Sequence, residues 1–493
     1  MVKNEVRLRY SGLILFTSKL LSVATGLAFV LLITRSVSKA EFGIWGNISD
    51  VSSYFTLLAT VLPFWTTRFV ARKHAGSAKT GLVANLFMSI ISASIYLALL
   101  PIIVTTLQIT SAYTILYFIA SIEILELYVI NTLEAVLRAK QPQTIGYGLL
   151  ICDACKVILG FTLIIHLKLG LQGALYSIIS SNIIQIAFYA KLTAQNLKEP
   201  VRWAYLKEWL KASPINIYNI VGDRIVAFTL VFLFVYGELA RSYYGAGLTI
   251  ANVIAYSTFL AYALYPRLLS RIDPKDVSTS LKMVLMLAIP MTIGTVILSD
   301  SYLTILSPDY TEAKLVLSVL AVYIFSLGLS QVFTAVVVGT EKIDAKAKIP
   351  FRQLVKTRLF QVFTLPYIQS AITLPTTFFA LFYIVETPLE AAFYLALINL
   401  IVGLAMLVCR YIIARKCLTF NFPWKSVAKF MIASAAMAVP LYIIPHPTRL
   451  SLTVGLTILG GIVYFATLTV IDWDTRELIK SIMCEVKSML GRT

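Results

Sequence analysis

Charge is what this chain has least of. Asp, Glu, Lys and Arg make up 13% of its 493 residues, about half the share of an ordinary soluble domain, while 58% are hydrophobic. That composition excludes a water-soluble core of this size. Histidine is nearly missing. The three present, His74, His166 and His446, are far apart, so neighbouring positions supply no histidine-based metal or nucleophile constellation. Five cysteines exclude a disulfide scaffold. Cys152 and Cys155 form a CxxC within an apolar run, without a second Cys or His pair nearby, and are read as small packing residues. Cys409, Cys417 and Cys484 fall on the expected cytoplasmic side, where thiols stay reduced. No P-loop or other nucleotide-binding pattern occurs, which excludes a primary pump. Outward connections such as Leu107 to Ala112 and Val385 to Pro388 leave no room for an external catalytic domain. The chain is read as a non-enzyme.

What is present is a succession of apolar runs. At roughly 35 residues per crossing and connection, the chain has room for about fourteen. Runs long enough to span lie near 11–34, 44–66, 81–105, 112–136, 145–166, 171–193, 213–236, 243–266, 281–303, 314–338, 359–384, 388–413, 427–445 and 450–471. The first is followed by Arg35 and Lys39 rather than a small-residue cleavage site, so it is read as a retained helix.

A net charge of +18 would suggest nucleic acid in a soluble protein. Here it marks topology instead. The N-terminus, every second connection with the adjoining span ends, and the C-terminus hold 33 of the 42 Lys and Arg residues, and the alternate connections hold 6. Positive charge stays on the cytoplasmic side during insertion, so both termini are expected in the cytoplasm and the chain in the cell membrane. The remaining three, Lys19, Lys156 and Arg224, lie inside apolar runs.

The halves repeat. The segment from Glu41 resembles that from Ala240. Gly43 matches Gly245 at an offset of 202, and Arg68 and Arg72 match Arg267 and Arg271 at an offset of 199. Leu137 to Lys140 matches Val338 to Lys342. A unit of six crossings is even, so its two copies share one orientation, related by an axis along the membrane normal. The expected fold is therefore all-α and polytopic, with two parallel six-helix lobes and two further C-terminal helices. The divisions are 1–197, an amphipathic linker at 198–212, 213–416, the added pair at 417–472, and an amphipathic tail at 473–493. In the linker, Trp203, Leu206, Trp209 and Leu210 recur at helical spacing opposite Arg202, Glu208 and Lys211, as in a surface helix. The tail repeats this with Leu478, Ile479, Ile482, Met483, Val486 and Met489. Ser213-Pro214 reads as the cap and first turn of the seventh span.

At this point the chain resembles a known family, the polysaccharide transporters or Wzx-like flippases of the multidrug/oligosaccharidyl-lipid/polysaccharide (MOP) exporter superfamily. The resemblance is carried by Ser38 to Gly43 (SKAEFG), Gly170 to Ala174 (GLQGA), Tyr244-Gly245, Tyr265-Pro266 and Pro308 to Ala313 (PDYTEA), together with the 6+6+2 plan. It implies a MATE-like fold and movement of lipid-linked oligosaccharides between leaflets by alternating access of two lobes. The carrier would be a polyprenyl or dolichyl phosphate or diphosphate.

Ionisable residues inside a span cost at least about 2.5–3.5 kcal/mol and normally face a cavity or a partner. Lys19 shares its helix face with Ser22 and Gly26. Asn216, Asn219 and Asp223 fall on one face of the seventh span beside Arg224. By the repeat, Lys19 and Arg224 occupy nearly equivalent places, and the substrate reading has these two cations neutralise cargo phosphate, with Asp223, Asn216, Asn219 and Asn252 alongside. The structural alternative is an Asp223–Arg224 or Lys19–Asp50 ion pair. A second cluster joins Glu123, Glu126, Glu134 and Asn131 on the fourth span with Asp153 and Lys156 on the fifth. Its excess of acid suggests a proton or sodium site coupling transport to a gradient, through Glu123, Glu126, Asp153, Lys156 and Asp50. The alternative is an internal network pairing Lys156 with Glu126. Asn182, Gln185, Gln331, Gln361 and Gln369 are further candidates for bonding sugar hydroxyls, the alternative being bonds to neighbouring helices.

The resulting expectation is a lipid-linked oligosaccharide flippase without a cofactor, in contact with membrane lipids and polysaccharide assembly proteins and not with nucleic acid. The competing reading is a MATE-like multidrug or organic-cation antiporter, favoured by Glu123 and Glu126 and opposed by Lys19, Arg224 and the two extra helices.

Overall fold

The computed structural model describes residues 8–472 other than 38, 107–108, 110, 231–232, 234–236, 307 and 343–354, together with residue 476. The expected surface helix of the tail, Leu478 to Met489, lies outside the described residues. All regular structure among them is helical. In chain order it comprises α1 (Leu8–Thr34), α2 (Lys39–Phe55), α3 (Val61–Ala71), α4 (Ser77–Thr106), α5 (Ser111–Lys140), α6 (Gln143–Gly160), α7 (Gly170–Leu197), α8 (Trp203–Ala227), α9 (Gly237–Ala255), α10 (Leu264–Ser270), α11 (Pro274–Ile297), α12 (Ser299–Leu306), α13 (Lys314–Thr340), α14 (Arg358–Tyr383), α15 (Pro388–Cys417), α16 (Trp424–Ile443) and α17 (Leu450–Ile471). Short 3-10 turns at Leu57–Thr60 and Tyr256–Ala261 join α2 to α3 and α9 to α10, and a π-helical turn at Phe161–His166 extends α6.

Eleven of the described helical segments are long and apolar enough to cross a membrane. The other three expected spans fall on α2 with α3, on α8 and on α14, whose own apolarity does not mark a crossing. The reason is local. The α2–α3 segment is broken by its turn, α8 carries Lys207, Glu208, Lys211, Asp223 and Arg224, and α14 contains Pro366 and Pro375.

Helix ends follow side-chain chemistry. At α15, the Thr387 side chain and Glu390 form a reciprocal capping box ahead of Pro388. At α11, Asp273 accepts from the Lys275 backbone N–H at 2.9 Å, and that bond holds its carboxyl below the usual carboxylate range. The cap expected at Ser213-Pro214 does not form. Instead α8 runs unbroken from Trp203 to Ala227, and the Ser213 hydroxyl donates to the Trp209 carbonyl at 2.8 Å. Trp209 is wholly buried against Phe69, their ring centroids 5.3 Å apart, and this packing carries the helix through Pro214.

Packing in the two halves follows one pattern. α1 packs on α6 as α8 packs on α14, α3 on α5 as α10 on α13, and α4 on α5 as α11 on α13. α7 contacts α5 and α6 as α15 contacts α13 and α14. The 3-10 turns at 57–60 and 256–261 interrupt the second helix of each half at matching places. Where the halves meet, α1 lies against the second turn so closely that a Cβ on Gly12 would sit 2.4 Å from the Leu260 carbonyl oxygen.

The last two helices, α16 and α17, pack on α11, and the Tyr464 hydroxyl donates to the Met286 carbonyl at 2.6 Å. Their ends are tied by charge. Asp472, 1% exposed, accepts from Lys429 at 2.7 Å and lies 3.4 Å from Lys282. At the opposite end, His446 Nδ1 is 2.7 Å from Asp300. Removing one partner of a buried ion pair costs about 3–5 kcal/mol, and the partly exposed lysines reduce this to ~2 kcal/mol. We therefore expect Asp472→Ala to lower the thermal unfolding midpoint of the detergent-solubilised protein. An unchanged midpoint would show that the lysine cluster does not hold α17 in place.

Candidate functional site

Between the two halves lies a cavity of about 380 Å³, walled by the 57–60 turn and α3, α5, α8, the start of α10, α13 and α14. Its chemistry follows helix periodicity. Asn131, Glu134 and Arg138 recur at intervals of three and four on α5 and so share one face, while Asn216 and Asn219 do the same on α8. Gln331 and Thr334 enter from α13, with Thr60 and Thr67 opposite.

Several polar wall residues are held by hydrogen bonds to the protein. The Asn216 amide donates to the Val61 carbonyl at 3.2 Å, across the boundary between the halves. Asn216 is 5% exposed, and among the described residues its Oδ1 has no hydrogen-bond partner. Asn219 donates to Asp223 at 3.3 Å. The Tyr189 hydroxyl stands 3.2 Å from Glu134 Oε1 and 2.9 Å from the Ile145 carbonyl oxygen. The charged neighbours of Glu134 are Lys19 and Arg138. Lys19 also lies over the Phe259 ring at 5.3 Å, and the Arg138 guanidinium is 4.0 Å from the Tyr262 ring centre.

The cavity is shut at the end where the Lys- and Arg-rich connections gather. Wholly buried Arg68 donates to the Val338 carbonyl at 2.6 Å and the Glu341 carbonyl at 2.7 Å, and Arg72 also donates to Glu341. These carbonyls end α13, where helix geometry leaves them unpaired and the helix dipole favours a cation. Phe64 stacks on Tyr265 beside them, with ring centroids 6.4 Å apart.

Towards the opposite face, α2 packs on α1, α4, α5 and α7, and α9 packs on α11, α12, α13 and α15, each within its own half. The exposed residues of α9 include Leu239, Arg241, Gly245, Thr249 and Asn252, and α2 exposes Gly46, Ser49, Ser53 and Tyr54. Both helices thus present small and polar residues beside large apolar ones on their exposed surfaces.

Of the residues singled out from the sequence, Asn216 and Asn219 line the cavity, and Lys19 reaches its Glu134. Asp223 and Arg224 are exposed on α8, and Asn252 is exposed on α9. The charged neighbours of Asp223 are Arg410 of α15 first and then Arg224. Arg410 escaped notice because it sits near the basic end of its run and counts as a topology marker. Arg138 escaped for the same reason, although its spacing from Asn131 and Glu134 was a readable signal.

The acidic cluster divides in two. Glu126, 5% exposed, accepts from the Asn182 amide at 2.9 Å. Asp153 pairs with Lys156 at 2.8 Å and accepts from Ser22. Lys156 therefore takes Asp153 rather than Glu126, because the i, i+3 pair lies on one helix face. Glu123 is half-buried one turn before Glu126. Asp50 belongs to α2, but its side chain lies outside the described ones. Cys152 and Cys155 are free thiols, and no three His, Cys, Asp or Glu residues gather into a metal site among the described residues.

The arginine clasp generates a measurable expectation. Each bond between a charged donor and a carbonyl contributes about 1.5–3 kcal/mol, so Arg68→Gln, losing at least two, should shift the closed end towards opening by ~3 kcal/mol. The check is the rate at which an impermeant maleimide labels a cysteine placed at Thr334, applied from the basic side. An increase on the order of 100-fold is expected, and an unchanged rate would mean that the clasp does not hold the closure.

No protein-family model and no curated protein sequence matches this chain. Among solved structures it is similar to a MATE in complex with MaD3S, with TM-score 0.65 and 12% identity over 83% of this chain and 95% of that one. It is also similar to a MATE in the bent conformation, with TM-score 0.63 and 13% identity over 86% and 96%. A third is the outward-facing conformation of a multidrug resistance MATE family transporter of the MOP superfamily, with TM-score 0.62 and 14% identity over 84% and 96%. At these identities the likeness concerns architecture: the chain has the helical fold seen in MATE transporters of the MOP superfamily.

Proposed function

We propose that this protein is a membrane transporter that moves lipid-linked oligosaccharides, on a polyprenyl or dolichyl phosphate or diphosphate, from the cytoplasmic to the outer leaflet by alternating access. The basic end is then the cytoplasmic one, and both termini lie there. Carriage of such a cargo would serve polysaccharide or glycan assembly, with the proteins of that assembly as partners.

The observation that carries this reading is the cavity wall. Asn131, Asn216, Asn219 and Gln331 place four carboxamides around one space, with Thr60, Thr67 and Thr334 between them. Carboxamides both donate and accept, as sugar hydroxyls do. Arg138 at the closed end supplies a fork of donors for phosphate, and Lys19 adds a second cation near it. An organic cation would meet two basic groups and a single carboxylate there.

A second reading, a MATE-like multidrug or organic-cation antiporter, is favoured by Glu126, whose second carboxylate oxygen is buried without a partner among the described residues. In either reading Glu123, Glu126, Asp153 and Lys156 are the candidates for proton or sodium coupling.

Proteoliposomes separate the two. The cargo arm uses a fluorescent polyprenyl diphosphate disaccharide and the alternative arm a fluorescent organic cation. We expect flipping of the lipid-linked sugar, reduced at least about tenfold by Arg138→Gln or by Lys19→Gln with Arg224→Gln, as loss of charge-assisted bonds requires. Transport of the cation alone would overturn the reading. In the same vesicles, Glu126→Gln should remove dependence on the proton or sodium gradient, and a rate independent of both gradients in the unmodified protein would dismiss the coupling role.

A further inference from the structure

Arg138 belongs to one half of the molecule and the aromatic rings it touches belong to the other. Its guanidinium carbon is 4.0 Å from the centre of the Tyr262 ring and 5.2 Å from that of Tyr265. All three residues line the cavity. The Arg138 Nε is buried, and among the described residues it has no hydrogen-bond partner. Burying a guanidinium N–H without an acceptor is unfavourable, and an aromatic face satisfies the charge without satisfying the donor. The side chain is therefore held by its charge and unfulfilled at its Nε donor, at the basic end of the cavity.

We propose that Arg138 is an anion-operated latch: the tyrosine pair holds its guanidinium across the two halves when the cavity is empty, and a phosphate or diphosphate group entering the cavity draws it off the rings and releases the closed end. The tyrosine faces of the other half, together with the Glu134 carboxyl one turn before Arg138 on α5, stand in for the anion, and only the tyrosine contacts cross between the halves. A phosphate offers charge and acceptors together, so it outcompetes the rings for the same guanidinium. When the anion leaves, the guanidinium returns to the rings, and the closed end forms again without cargo. The neighbouring Arg68 and Arg72 contacts to α13 are carbonyl bonds that an anion in the cavity does not replace, so Arg138 is the contact through which occupancy is sensed. The latch stands on the contacts themselves; only the identity of the anion as a cargo phosphate rests on the flippase reading.

The test uses the full chain in lipid nanodiscs, its five native cysteines replaced, with spin labels on Lys140→Cys and Ser270→Cys, exposed positions at the ends of α5 and α10. The distance between labels is expected to be mostly short. Tyr262→Leu with Tyr265→Leu should raise the long-distance share several-fold, the Arg68 and Arg72 bonds still holding part of the population closed, whereas Tyr262→Phe with Tyr265→Phe, keeping both ring faces, should leave the distribution unchanged and control for folding. Inorganic diphosphate should raise the long-distance share in the unmodified cavity. Arg138→Gln should show the raised share with or without it. An unchanged distribution in the leucine variant, or a response to diphosphate surviving in Arg138→Gln, overturns the latch. A silent diphosphate arm with the leucine variant open overturns the anion step. Should the spin-label results hold while vesicles fail to flip a lipid-linked sugar, the latch stands and the flippase reading falls.

Discussion

A helix ending inside a membrane protein leaves its last carbonyls without partners, and lipid cannot supply any. At α13 that deficit is met from the other half of the molecule, by Arg68 and Arg72 at the end of α3. The two-lobed arrangement hangs on this exchange. It draws the basic ends together, brings Phe64 onto Tyr265, and places Arg138 within reach of Tyr262. Among the strongly contacting pairs α2 and α9 pack only into their own halves, so these two helices do not join the lobes.

The same constraint explains how a chain of so few charges sustains a polar interior. Every ionic group in a span must be matched, and the matches here are local and unequal. The first half keeps Asp153 on Lys156 and Glu126 on Asn182, well inside the lobe. The second half has Arg410 and Arg224 as the charged neighbours of Asp223, which is exposed on α8. Repeated architecture thus carries unlike chemistry.

The addition of α16 and α17 is anchored differently again. Asp472 with Lys282 at one end and His446 with Asp300 at the other fasten the pair to α11 and α12, and Asp472 with Lys429 joins the two helices to each other.

Much of this was legible in the residues themselves. The apolar runs, the alternation of Lys and Arg, and matches such as Arg68 with Arg267 follow from chain-local rules: span length, charge retention and helical period. Asn216 and Asn219 could be placed on a shared face because 100° per residue is a property of one helix. What no such rule reaches is which faces meet. Whether Lys156 turns to Asp153 or Glu126, whether Ser213 caps a helix or lies within one, and whether Arg138 marks topology or lines a cavity depend on how helices from distant parts of the chain pack. Membrane character, helical class and repeat are readable from the residues alone, because each is encoded within a single span or its flanks. The site is not, because it is made where α5 of one half meets α8, α10 and α13 of the other, and that meeting is set by interhelical contacts that no single segment contains.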